Sequence, residues 1–346
     1  MNIADVKNDI RKIIQSDWLN VSLMIHSAPG IGKSAIVKQL ADEFDMELVD
    51  VRLSTMDLAT FLGVPHVNRN QEFVWGNPEW YQKIIKSSKT KNIILFFDEI
   101  TNAPQSLQHA AYRVILDREL REFSQLPDNV MIIAAGNRVK DNTGAKPLLP
   151  ALANRFNMHF HVEPCVKTFI THAIKKGFNK DVIGFLSWAP RFGYKPPRTG
   201  ETCFPTFRAW EFVSDWLKIF KPTLTHLQGI VGPGAAADFM TYVKYVKKMP
   251  NIDKIKSGDF SEMKKLSDLG VEIALTVNLA FHAIDALIEK DEAIVNIRKA
   301  LDYMDDEKLI LFYKIIGNSS KNFDPQFFLS KLSNDVNIIR KYKEIK

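Results

Sequence analysis

One stretch, Ser27-Ala28-Pro29-Gly30-Ile31-Gly32-Lys33-Ser34, constrains the fold of this chain more than any other. Before it, residues 21–26 are short, apolar and strand-like. After it, residues 35–41 have helical spacing. A strand, a glycine-rich turn and a helix in that order make a phosphate-binding loop. The glycines let backbone N–H groups turn inward, the lysine reaches the outer phosphates, and the hydroxyl residue meets Mg²⁺. The helix N-terminus adds favourable partial positive charge. The general pattern, G-x-x-x-x-G-K-[ST], has a glycine where this chain has Ser27. That position opens the loop and makes no obligatory phosphate contact, so the departure weakens the pattern little. Ala28, Pro29, Gly30, Ile31, Gly32, Lys33, Ser34 and Ala35 are therefore the expected nucleotide contacts. Lys33 also assists the chemistry, and Ser34 binds the metal.

Length and charge set the frame for this loop. A chain of 346 residues allows two or three domains. The net charge of +6 is spread over scattered lysines, which reads as a solvated surface rather than a nucleic-acid stripe. Cys165 and Cys203 have no zinc-ligand spacing, and two cysteines in a chain this long fit a reducing cytoplasm. The N-terminal residues lack the apolar core of a signal peptide, and no uninterrupted apolar run approaches the ~20 residues that span a bilayer. The expectation is a soluble cytoplasmic protein with no membrane partner.

Along the chain, a helix over about 3–15 precedes the first strand. A second strand is expected at 47–52. Residues 54–80 begin as a helix, break at Gly63-Val64-Pro65, and continue as two short β-like pieces around a polar turn. This reads as a hairpin, about 60–77, inserted into a helix. The run Asn92-Ile93-Ile94-Leu95-Phe96-Phe97 has the continuous apolar character of a strand buried on both faces of a parallel sheet. A helix over about 104–117, a fourth strand at 130–135 ending in Gly136-Asn137, and a fifth at 158–162 complete an α/β pattern. From about residue 166 the strand signals stop. The expected division is an α/β nucleotide-binding domain over 1–165, a helical domain over 166–249, and a helical C-terminal extension over 250–346.

The acidic pair Asp98-Glu99 closes the buried third strand. An aspartate there can hold Mg²⁺ together with Ser34, and the neighbouring glutamate can orient and deprotonate an attacking water. Asn137, at the tip of the fourth strand, can hydrogen-bond phosphate and water if that strand lies beside the first. Arg155 follows a short helix and suits a neighbouring subunit's phosphate better than its own; removing such a group typically costs ~10³-fold in rate. Arg208, at the start of a helix in the second domain, could close onto the same nucleotide. His159 and His161 alternate on one strand and lack a third metal ligand, so they read as satisfied histidines. The implied ligands are ATP and Mg²⁺.

Together, Gly30-Ile31-Gly32-Lys33-Ser34, Phe97-Asp98-Glu99, Ala134-Ala135-Gly136-Asn137 and Asn154-Arg155-Phe156, followed by helices, resemble an AAA+ ATPase. Three further stretches are similar to the MoxR type in the helix-2-insert clade. They are Arg52-Leu53-Ser54 with Leu62-Gly63-Val64-Pro65 and Trp75-Gly76-Asn77-Pro78-Glu79-Trp80, then Gln108-His109-Ala110-Ala111-Tyr112-Arg113, and Gly229-Ile230-Val231-Gly232-Pro233-Gly234. The resemblance implies a five-stranded sheet of order 5-1-4-3-2 and a ring, usually a hexamer, with ATP between subunits. It makes Arg155 the finger acting in trans, Asn137 sensor 1 and Arg208 sensor 2. It also implies a chaperone-like remodeller of a protein client, often with a von Willebrand factor A partner. The alternative is a nucleic-acid motor. Against that, the insert offers only Arg69 and His66 to a phosphate backbone.

Overall fold

Alternation of buried strands with amphipathic helices builds the part of the chain that carries the loop. The computed structural model describes residues 1–319 apart from Phe123, Asn142, Thr143 and Thr199, and beyond them Asp324, Phe327 and Lys331. Most of the expected helical tail after residue 319 lies outside the described residues. Two compact units are present: residues 1–165 with 196–200, and residues 166–195 with 201–346.

The first unit opens with α1 (Ile3–Gln15), capped by Asn2, which exchanges hydrogen bonds with Asp5 in a capping box and is worth about 1 kcal/mol. Val6, Ile10 and Ile14 form its buried stripe. There follow β1 (Ser22–Ser27), α2 (Lys33–Glu43), β2 (Glu47–Arg52), α3 (Leu58–Leu62), β3 (Val64–Val67), β4 (Phe73–Gly76) and α4 (Glu79–Ser87). Then come β5 (Ile93–Asp98), α5 (Gln105–Leu116), β6 (Val130–Asn137), α6 (Pro150–Ala153) and β7 (Met158–Val162).

Five strands pair in parallel in the order β2-β5-β6-β1-β7. Numbering only these five along the chain and reading from the β7 edge gives 5-1-4-3-2, the expected order. Every residue of β5 is buried, as its unbroken apolar run requires when helices cover both faces. Because all strands run the same way, the carboxyl ends of β5, β6 and β1 come out side by side.

The remaining strands, β3 and β4, form a separate antiparallel hairpin with Val64 opposite Gly76 and Val67 opposite Phe73. Gly63 has φ +87°, and a Cβ there would run into the Gly76 carbonyl, so glycine is required where the hairpin leaves α3. Arg121 ties the base: it donates to the Leu62 carbonyl and, at 2.5 Å, to Asn77 Oδ1. Its guanidinium also lies 4.9 Å over the Trp75 ring.

The second unit is helical: α7 (Val166–Lys175), α8 (Lys180–Trp188), α9 (Phe207–Ile219), α10 (Leu224–Val231), α11 (Pro233–Lys248), α12 (Ile252–Lys256), α13 (Leu269–Glu289), α14 (Ala293–Ala300) and α15 (Asp306–Asn318). Its axis is α13, which packs against α8, α11 and α15, so residues on both sides of 249 share one core. By length and composition α13 could cross a membrane, but it is mostly buried among the other helices, as the core helix of a packed bundle is.

Candidate active site

The loop after β1 has the backbone that a phosphate cradle needs. Gly30 and Gly32 take φ +71° and +102°, a region glycine enters without penalty. A Cβ on Gly32 would meet nothing within 4 Å, so the space beside this glycine is open. The next residue starts α2, whose free N–H groups and partial positive charge face the same end. Ser27, standing where the pattern has glycine, is the last residue of β1. It is fully buried, and its hydroxyl donates to the Ala28 carbonyl at 3.0 Å. It takes no part in the cradle.

Three strand ends converge on this loop. Strand register sets Ser27 opposite Asn137, so β6 delivers Asn137 next to the loop. Lys33 Nζ donates to Asn137 Oδ1 at 2.8 Å and to the Ala28 carbonyl at 3.2 Å. The Asn137 N–H donates to Thr101 Oγ1 at 3.0 Å, which fixes the strand tip. Asp98, the last residue of β5, is 7% exposed and accepts a hydrogen bond from Ser34 Oγ at 2.7 Å. Burial, and then the nearby Asp98, push the Asp50 carboxyl above its usual range.

Glu99 breaks from the strand in a left-handed conformation, φ +57°, and its N–H caps back onto Asp98 Oδ1 at 2.9 Å. The Glu99 carboxylate accepts a hydrogen bond from Ser54 Oγ at 2.5 Å. Sequence reading placed Ser54 in the resemblance but gave it no role at the site. It lies just beyond β2, and its link to Glu99 spans 45 positions of chain.

This donor set suits Mg²⁺ and a nucleotide. Ser34 Oγ and Asp98 Oδ2 are paired oxygens of the kind a hard divalent cation takes, and the space beside Gly32 in the adjoining loop is open. Ala28, Pro29, Ile31 and Ala35 complete the loop and the first turn of α2 around Lys33 and Ser34.

The remaining candidates lie outside this cluster. Arg155 follows α6, and its guanidinium stands 4.1 Å over the Tyr112 ring. Arg208 is exposed in the first turn of α9, in the other compact unit. Immediately after Asn137, Arg138 grips Asp141 through two hydrogen bonds of 2.8 and 2.9 Å and pairs with Glu163 at 2.5 Å. Burial draws its pKa down, but the bonds to Asp141 and Glu163 outweigh that and raise it.

The expected histidine pair is a trio. His26 meets both His159 and His161, with ring centroids 5.2 and 4.8 Å away. His26 Nε2 and His159 Nδ1 are 2.9 Å apart, and His159 Nε2 reaches the Ala153 carbonyl at 2.9 Å. That carbonyl can only accept, so a neutral His159 carries its proton on Nε2 and its Nδ1 accepts a hydrogen bond from His26 Nε2–H. Burial, with His161 and His159 alongside, pulls the His26 pKa down to about 4. Among the described residues no cluster of three or more His, Cys, Asp or Glu side chains could hold a metal.

Residues 23–164, less than half of the chain, match the model of the ATPase family associated with various cellular activities (AAA). No curated protein matches the sequence. Among solved structures, the chain is similar to the Thermotoga maritima RuvB Holliday junction branch migration motor. That match has 15% identity over 87% of this chain and 76% of that one, with a TM-score of 0.37. It is also similar to a Cytophaga hutchinsonii protein proposed to be an ATPase, at 12% identity over 94% and 79%, with a TM-score of 0.35. A third similarity is to Hsp104 in a closed state with ATPγS and casein, at 14% identity over 54% and 40%, with a TM-score of 0.38.

Proposed function

We propose that this chain is a cytoplasmic, Mg²⁺-dependent ATPase of the MoxR type. It works as a ring, a hexamer by resemblance, and remodels a protein client together with a von Willebrand factor A partner. The observation that carries the ATPase reading is the meeting of Lys33, Asn137, Ser34, Asp98 and Glu99 at the ends of β1, β6 and β5. The amides of the 28–34 loop receive the phosphates, and Lys33 turns from the Ala28 carbonyl to phosphate oxygens. Ser34 and Asp98 hold Mg²⁺, which when bound neutralises charge on the β- and γ-phosphates. Glu99 takes the proton of the attacking water as the new oxygen–phosphorus bond forms. The β–γ bridging bond breaks and its electrons leave on ADP. Asn137 orients the water and the γ-phosphate. Arg155 is supplied to a neighbouring copy, and Arg208 closes from the helical unit.

Ser54 Oγ donates to the Glu99 carboxylate and so helps to set the direction in which that carboxylate faces.

The protein client is favoured over nucleic acid by the hairpin. Val67, Phe73 and Trp75 are 60, 74 and 48% exposed. Register puts them with Pro65 on one face of the ribbon. Such a face suits apolar contact rather than a phosphate backbone. ATP turnover measured with an unfolded polypeptide and with DNA, each over a salt series, tests this. Stimulation by the polypeptide, lost on Phe73→Ser, is expected. Severalfold stimulation by DNA that collapses as salt rises would replace the client reading with the motor.

A further inference from the structure

Arg155 differs from the other arginines around it. Arg113 pairs with Glu119 at 2.8 Å, and Arg138 is held by Asp141 and Glu163. Among the described residues Arg155 has no ion pair; its one recorded side-chain contact is the face of Tyr112. The backbone on either side is fixed. The Arg155 N–H donates to the Leu152 carbonyl at 3.0 Å, and the Phe156 side chain is buried. Asn157 and Ser22 exchange two hydrogen bonds of 2.7 and 2.8 Å, and His159 holds the Ala153 carbonyl. The variable that remains is where the arginine side chain points.

A ring face and a carboxylate hold a guanidinium in different ways. A carboxylate occupies in-plane N–H donors and cancels the charge. An aromatic face attracts the cation through its quadrupole, from above the plane. The five in-plane donors and the full positive charge stay available for an incoming anion. Tyr112 is on α5, one residue before Arg113 and well separated from Arg155 along the chain, so the fold has to bring the two together.

We propose that Tyr112 is a positioning residue that presents Arg155 to the nucleotide phosphates of a neighbouring copy of this chain. This rests on the reading of Arg155 as acting in trans. Without the ring, Arg155 samples its other rotamers and reaches the phosphate less often. The defect then belongs to the neighbour's site, not to the site of the chain that carries the substitution.

Full-length Tyr112→Leu, which keeps apolar bulk, and Tyr112→Phe, which keeps the ring, test this with steady-state ATP turnover. Tyr112→Leu is expected to lower kcat about five- to tenfold with KM for ATP changed less than about twofold, and Tyr112→Phe to retain most turnover. Mixing Tyr112→Leu subunits with an excess of Glu99→Gln subunits supplies each intact site with a ring-held Arg155 from a neighbour. Turnover per Glu99-bearing subunit is then expected to rise toward the wild-type value. Tyr112→Leu with wild-type kcat, or Tyr112→Phe as impaired as Tyr112→Leu, overturns the proposal. Arg155→Ala in the same mixing experiment separates the two claims. If Arg155→Ala subunits recover on mixing but Tyr112→Leu has wild-type kcat, only the role of Tyr112 is lost. If Arg155→Ala subunits do not recover, the trans reading itself fails.

Discussion

The carboxyl edge of the parallel sheet and the 64–76 hairpin are both short pieces of β-structure, held by opposite means. At the sheet edge Asp98 and Asn137 end strands that are buried almost throughout, so helices on both faces fix their positions. The hairpin has no such layer. All four residues of β3 are exposed, and its recorded ties are at its base, through Arg121 to Leu62, Asn77 and Trp75. A two-stranded ribbon is marginal in water by itself. The contrast separates a place where atoms must be fixed for chemistry from a place where apolar surface is left available.

Stability measurements can break this contrast. Phe97, fully buried in β5 one residue before Asp98, is expected to cost about 3–5 kcal/mol when replaced by alanine. Phe73, exposed on β4, is expected to cost no more than about 0.5 kcal/mol on the same change. Denaturant midpoints of the two variants provide the comparison. Equal losses would mean that the hairpin face is covered within the protein.

A smaller effect reads how dry the sheet edge is. His26 is kept neutral in the folded chain, with a pKa of about 4, whereas an unfolded chain returns it to the ordinary 6.5. Between these values the unfolded state binds more protons, so stability falls as pH drops from 6.5 toward 4. The groups facing the ring are His159 and His161. With allowance for partial solvent screening, His26 is expected to account for about 1–2 kcal/mol of that loss. In His26→Gln the pH dependence over this window should shrink by the same amount, as read from urea unfolding at stepped pH. An unchanged slope would mean that the stack is wetter than its geometry implies.

What the sequence made legible follows the same division. The loop from Ser27 to Ser34, Asp98-Glu99 and Asn137 stand at the ends of apolar runs, so spacing located them, while the sheet order came from the resemblance. The hairpin was legible as two β-like pieces around a polar turn, because Gly63 and Pro65 mark the break in the helix. Ser54, Tyr112 and His26 were not legible as site residues. Ser54 meets Glu99, and Tyr112 meets Arg155, only through tertiary contacts between distant segments. His26 joins His159 and His161 because β1 pairs directly with β7, which no local pattern in β1 announces. Arg138 could have been noticed as a charge directly after Asn137, but its partners Asp141 and Glu163 need the fold to bring them in.

The claim on which everything else depends is that Asp98 and Glu99 divide the work at one nucleotide site. Single-turnover hydrolysis and equilibrium binding of ATP with Mg²⁺, measured side by side on wild type and Glu99→Gln, test it directly. The amide keeps the shape of the carboxylate but cannot take a proton from water. Binding is therefore expected to stay within about twofold of wild type while hydrolysis falls at least about 10²-fold. Hydrolysis at the wild-type rate with Glu99 replaced would contradict the assignment of the base, and with it the active site described above.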